Sequence, residues 1–179
     1  MIVCAGRNEF FSFATPIGVG LVESAMNLTK LLLTKRVKNL LFVGTAGLYK
    51  DGEILEIYES SKAYNHEISE ILGLSYSPIS MVESSIVSRE TMKVNSSNYI
   101  TTDERTANKF SNLGYFMENM EFYSVLKVAN SFSIPAFGLF CATNFCNKEA
   151  HKTFIKNHKA AKEKIELYVK ERLYDEKFL

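Results

Sequence analysis

The stretch Leu40-Leu41-Phe42-Val43-Gly44-Thr45-Ala46-Gly47 decides the fold. Its apolar residues run on without the in-out alternation of a half-solvated strand, so Leu40 to Thr45 reads as a strand buried on both faces. Gly44-Thr45-Ala46-Gly47 then reads as a loop of small residues ending that strand. Upstream, Leu21, Ala25, Leu28, Leu32 and Leu33 recur at helical spacing as far as Lys35. Downstream, Asp51-Gly52 reads as a turn leading into a strand from Glu53 to Tyr58.

The same alternation extends outward from this centre. Met1 to Ala5 is an apolar run stopped by Gly6, which suits a buried strand arriving at a turn, and Phe11 to Ile17 reads as a second strand closed by Gly18 and Gly20. Asn65 to Leu72 is weakly helical, whereas Ile79 to Val87 and Thr91 to Val94 read as extended. Thr102 or Asp103 offers an oxygen to the unpaired N–H groups of a helix that runs to Leu113 and stops at Gly114. A strand from Tyr115 to Glu118, a helix from Glu121 to Phe132 and a strand from Ile134 to Ala142 follow. Pro135 sits at the start of that last strand, where a missing donor is tolerated. The final helix spans Glu149 to Leu173, with Phe154, Ile155, Ala161, Ile165, Tyr168 and Leu173 as its apolar stripe.

Strands alternating with helices imply one α/β domain over residues 1–179, a three-layer sandwich whose central sheet is mixed but mostly parallel. At 179 residues, 46% hydrophobic and 23% charged, the chain can bury a core without metal or disulfides. A net charge of +1 leaves no electrostatic footprint for nucleic acid. No apolar run is long enough to span a bilayer and no signal-peptide pattern opens the chain, so a cytoplasmic protein is expected. Cys4, Cys141 and Cys146 have no paired metal spacing and read as reduced structural thiols. No cofactor is implied.

Ligands of such sheets bind beyond the carboxyl ends of the strands. Four segments fall there: Gly6-Arg7-Asn8-Glu9, Gly44-Thr45-Ala46-Gly47, Met117 to Glu121, and Thr143-Asn144. Together with Gly18-Val19-Gly20-Leu21-Val22-Glu23-Ser24-Ala25 and Asp51-Gly52-Glu53-Ile54, they resemble the purine nucleoside phosphorylase and 5'-methylthioadenosine/S-adenosylhomocysteine nucleosidase family. Asn119-Met120-Glu121 resembles its Met-Glu ribose motif, with Asn119 where many members carry Glu.

The resemblance implies cleavage of the N-glycosidic bond of a purine nucleoside by phosphate or water, in a homo-oligomer. It implies Glu121 accepting hydrogen bonds from the ribose hydroxyls, Met120 packing on the sugar, and Tyr99 stacking on the base. Asn144 would bind the base, and Thr45, Gly44 and Arg7 would lie near the nucleophile. Without it, Glu121 reads as a residue favouring a helix N-terminus, while Met120 and Tyr99 read as core.

Three departures bear on catalysis. Asn144 stands where nucleosidases and many phosphorylases carry an Asp, and an amide cannot donate a proton as a general acid. Asn is also found there in phosphorylases of 6-oxopurines. Phe42 stands where phosphate-using bacterial members have an Arg, which favours water unless Arg7 substitutes. The connection after the first strand is shortened, leaving Glu9 as its one acid, either a general base or a solvated surface carboxylate. His66, His151 and His158 form no triad or metal spacing. The alternative is a non-catalytic family member, a nucleoside-binding or structural subunit.

Overall fold

The computed structural model describes residues 1–87 and 91–174, with side chains as far as residue 172. In chain order the elements are β1 (Ile2–Cys4), β2 (Thr15–Pro16), α1 (Gly20–Thr34), β3 (Leu40–Leu48), β4 (Ile57–Ser60), β5 (Lys62–Tyr64) and α2 (Ile68–Ile71). They continue with β6 (Val82–Ser84), β7 (Lys93–Ser96), α3 (Glu104–Asn112), β8 (Met117–Asn119), α4 (Phe122–Ser131), β9 (Ala136–Phe145) and α5 (Ala150–Tyr174).

All nine strands join one mixed sheet, and β3 organises it. One edge of β3 pairs in parallel with β9 from Leu40↔Ala136 to Leu48↔Phe145, with a register shift between Ala46 and Gly47. Its other edge is shared. The start pairs in parallel with β1 through Leu41 and Phe42, and the end pairs antiparallel with β8 through Gly47 and Leu48. From β8 the sheet continues through β7 and β5 to β6, while β4 lies antiparallel on the outer edge of β9.

Burial on both faces explains the unbroken apolar run of β3. Phe42 belongs to a cluster with Leu28 and Leu32 of α1, Phe122 and Val125 of α4, and Phe140 of β9. Val43 instead joins Leu139, Cys141 and the α5 residues Ala161, Ile165 and Val169. Helices α1 and α4 thus cover one face and α5 the other, the expected three layers. Phe140 meets Phe42 at 5.8 Å and Phe122 at 5.2 Å between ring centroids, so three aromatic rings from three elements fill the first layer. The three thiols are free and buried, as read from the sequence. Among the described residues no helix is long and apolar enough to cross a membrane.

Several boundaries differ from the sequence expectations for physical reasons. Of Phe11 to Ile17 only Thr15–Pro16 pairs as a strand; Phe11 and Ile17 are buried by packing, so their hydrophobicity reported core rather than extended structure. The strand expected over Glu53 to Tyr58 begins at Ile57, after Leu55 takes a left-handed backbone with φ of 66°. Leu33 and Ile155 are exposed at 71% and 58%, whereas Ser24 and Val169 occupy the buried faces of their helices. The side chain of Leu173 lies outside the described residues.

The correction that matters most for function concerns strand ends. Gly44-Thr45-Ala46-Gly47 is not a loop: it stays in β3, its register pairing with β9 maintained through the bulge. Thr143 and Asn144 likewise lie within β9. Small residues permit continuation rather than termination here, because a Cβ on Gly44 would meet the Phe42 ring at 2.9 Å and Glu9 Oε2 at 3.0 Å. Asp103 is the cap chosen for α3, its Oδ2 accepting the Thr106 N–H at 2.9 Å.

Candidate active site

The carboxyl ends of β1, β3 and β9, together with the segment leaving β8, converge on a cavity of about 340 Å³. That volume is in the range of small-molecule sites. Arg7, Glu9, Thr45, Tyr99, Met120, Glu121 and Asn144 all line it, so seven of the residues singled out from the sequence meet although scattered along the chain. Gly44 does not line the cavity; it stands behind Glu9, where its lack of a side chain admits the carboxylate.

Glu9 reaches the site because β1 ends in a tight turn. Gly6 and Arg7 both take left-handed backbone, at φ of 87° and 54°, and the Glu9 N–H bonds back to the Gly6 carbonyl at 3.0 Å. The carboxylate then points into the cavity rather than to solvent. Its Oε2 accepts the Thr45 N–H at 3.3 Å, and its Oε1 accepts the Thr45 hydroxyl. Both Thr45 donors are thus engaged by Glu9. Arg7 is mostly exposed and lies 3.7 Å from Glu23.

Glu121 occupies the N-cap position of α4 without capping it. That work falls to Asn119, whose Oδ1 accepts the N–H groups of Glu121 at 2.8 Å and Phe122 at 2.9 Å, while its amide donates to the Thr45 carbonyl at 3.2 Å. Released from its own helix, Glu121 uses Oε1 to accept the Gly20 N–H at 2.9 Å, at the positive end of α1. Gly20 has φ of 82°, and a Cβ there would lie 2.8 Å from Asn98 Oδ1. Asn98 in turn accepts the Leu21 N–H at 2.9 Å and anchors the segment carrying Tyr99.

Glu121 is 3% exposed. Burial, with the Glu9 charge as the next contribution, pushes its carboxyl up to about 8. Burial raises Glu9 as well, against the two bonds from Thr45. The two carboxyls share one cavity, and the charge of Glu9 adds to the effect of burial on Glu121, so they titrate as a coupled pair.

Also on the cavity wall, Asn144 is buried, with Oδ1 2.9 Å from the Thr143 hydroxyl and Nδ2 donating to the Phe145 carbonyl at 3.2 Å. The Tyr99 ring is 68% exposed at the rim, open on one side rather than packed in the core. His66 is held by Glu70 at 2.9 Å.

Sequence reading passed over several lining residues. Glu118 was within one of the highlighted segments but received no role; Ile100, His151 and Phe154 received none at the site. Phe154 falls on the apolar stripe of the last helix, and the first turns of α5 bring it and His151 to the cavity wall.

No protein-family model matches the chain, and no curated protein matches it. Solved structures do. A Helicobacter pylori 5'-methylthioadenosine/S-adenosylhomocysteine nucleosidase, an Asp-to-Asn mutant with 5'-methylthioadenosine in its active site, superposes with a TM-score of 0.80 at 17% identity, covering 97% of each chain. A futalosine hydrolase mutant of Helicobacter pylori gives 0.81 at 17% identity, again over 97% of each. The Streptococcus pneumoniae methylthioadenosine/S-adenosylhomocysteine nucleosidase with a transition-state inhibitor gives 0.73 at 14% identity, covering 91% of this chain and 93% of that one. The chain therefore has the nucleoside phosphorylase-like three-layer fold that these nucleosidases share.

Proposed function

We propose that this chain hydrolyses the N-glycosidic bond of a purine nucleoside. The observation that carries the reading is the meeting of Glu9 and Glu121 in one cavity at the strand ends, in a fold shared with nucleosidases. Breaking that bond builds positive charge on the sugar, which nearby carboxylates stabilise, and requires a base to take a proton from the attacking nucleophile. Glu9, oriented by Thr45, is the base. Glu121, anchored through Oε1 to α1, presents its remaining oxygen to the ribose hydroxyls, with Met120 beside it. Tyr99 offers its face to the purine and Asn144 an amide to its edge.

Water is the better nucleophile for this site than phosphate. A phosphate dianion next to two buried carboxyl groups would pay an electrostatic penalty, and Arg7, the one cation lining the cavity among the described residues, lies beside Glu23 at its exposed rim. The test is direct: purified protein incubated with adenosine, inosine, guanosine and methylthioadenosine, with and without phosphate, should release free base without phosphate. Absence of free base at high protein concentration under every condition would refute the reading. Glu121→Ala should lower turnover at least 100-fold, in line with the loss of a charged catalytic contact; full retention would remove Glu121 from the ribose.

A further inference from the structure

Protonation of the leaving purine has no donor in the residues assigned so far. Asn144 carries an amide, and Glu9 and Glu121 serve the nucleophile and the sugar. One acid remains on the cavity wall among the described residues: Glu118.

Its position follows from sheet register. Gly47 of β3 is paired with Glu118 of β8 on one side and with Asn144 of β9 on the other. The three residues form one row across three strands, whose neighbours stand about 4.8 Å apart. The middle member has no side chain. A Cβ built on Gly47 would lie 3.0 Å from Asn144 Nδ2, 3.1 Å from Cys146 Sγ and 3.5 Å from Glu118 Cγ, so both side chains flank the bare Gly47 backbone on the same side. A flat base lying over Gly47 would have the amide along one edge and the carboxyl along another.

The surroundings of Glu118 raise its carboxyl above the ordinary range, burial being the first cause. Oε1 accepts the Thr101 N–H at 2.9 Å, which fixes the group through the segment that also carries Tyr99 and Ile100. Its other close neighbours are the Tyr49 phenol and the Cys146 thiol, both themselves pushed above their usual values, by burial first and the Glu118 charge second. No cation is among the groups that set its titration; burial raises it, and the Thr101 bond together with the neighbouring Cys146 and Tyr49 opposes that.

We propose that Glu118 is the general acid that protonates the departing purine, with Asn144 holding the base in place. This role rests on the nucleoside-hydrolase reading above. In the step, the C1'–N9 bond breaks and its electron pair moves into the purine ring. The Glu118 proton passes to a ring nitrogen of the base, water forms the new C1'–O bond, and the proton that water loses passes to Glu9.

The experiment compares two leaving groups. A purine ribonucleoside that the protein cleaves needs a proton; 4-nitrophenyl riboside or the N7-methylated form of that nucleoside departs without one. Glu118→Gln, which preserves the acceptor for the Thr101 N–H, should lower nucleoside turnover by roughly 100-fold while the activated substrate is cleaved nearly as before. Asn144→Asp added to Glu118→Gln should restore most of the lost rate by returning an acid to the same row. Equal loss on both substrates, or no loss on either, overturns the role. If Glu118→Gln does not fold, Glu118→Asp, an acid on a shorter arm, serves instead, and an equal effect on both leaving groups is again the overturning result. Failure of the unaltered protein to cleave any of these substrates is a different outcome: it removes the hydrolase reading and the acid role with it.

Discussion

Glu118 and Glu121 lie three positions apart at the end of β8, yet their environments differ in kind. Glu121 is tied to the N-terminus of α1 through Gly20 and faces another acid, Glu9. Glu118 is tied to a loop through Thr101 and faces a phenol and a thiol. Burial raises both, but for Glu121 a neighbouring charge adds to it, whereas for Glu118 the neighbours are donors that work against it. The lesson is that the same side chain, on the same segment, becomes half of a proton-sharing pair or a solitary acid according to what the other strands bring opposite it.

The severest way to break the comparison is to remove the acid that distinguishes the two sites. Glu9→Gln should reduce turnover by about 100-fold or more, as expected for loss of a general base. It should also lower the Glu121 pKa, read by pH titration of a carboxyl NMR signal, and leave Glu118 unmoved. An unchanged Glu121 titration would dissolve the pair.

A weaker but cleaner probe is the pH dependence of stability. A carboxyl whose folded pKa lies near 8, against 4.5 as its ordinary value, binds more protons in the folded than in the unfolded chain between those limits. Stability contributed by this group is therefore fully present below pH 4.5 and is lost as pH rises toward 8, at up to about 1.4 kcal/mol per pH unit. Thermal midpoints measured across this window should fall with rising pH, and Glu121→Gln should flatten the decline. A midpoint that rises through this window equally in both proteins would show that Glu121 is not the group responsible.

The smallest effect belongs to the row beneath the base. Gly47→Ala places a methyl 3.0 Å from Asn144 Nδ2 and 3.1 Å from Cys146 Sγ, so both must give way. A stability cost of about 1–3 kcal/mol by chemical denaturation is expected from such overpacking. Weakened base binding should accompany it, with Glu121 and its titration undisturbed. Loss confined to the Glu9 and Glu121 end would contradict the separation of the two regions.

Much of this was legible in the residues. The buried runs of β3 and β9, a cap at Thr102 or Asp103 and the stop at Gly114 follow from local chemistry, because propensity, periodicity and turn residues act over a few positions, while the family resemblance singled out Glu121, Thr45 and Asn144. Where local chemistry misled, tertiary packing had overridden it. Gly44 to Gly47 resembles a loop, but continuous pairing with β9 keeps it extended; Phe11 to Ile17 resembles a strand, but only Thr15–Pro16 pairs, and Phe11 and Ile17 are buried by packing.

The amino-acid sequence by itself determined the alternation of strands and helices and supplied the acids, because those depend on what each residue is and on its nearest neighbours. The tertiary structure alone decided which acids act together. Glu9 meets Glu121 only because β1 and β8 pair with the same strand, and Glu118 shares a row with Asn144 only because the bulge after Ala46 sets Asn144 opposite Gly47, which Glu118 pairs from the other edge. Register is a relation between distant segments, and with it comes the burial that turns ordinary carboxylates into proton carriers.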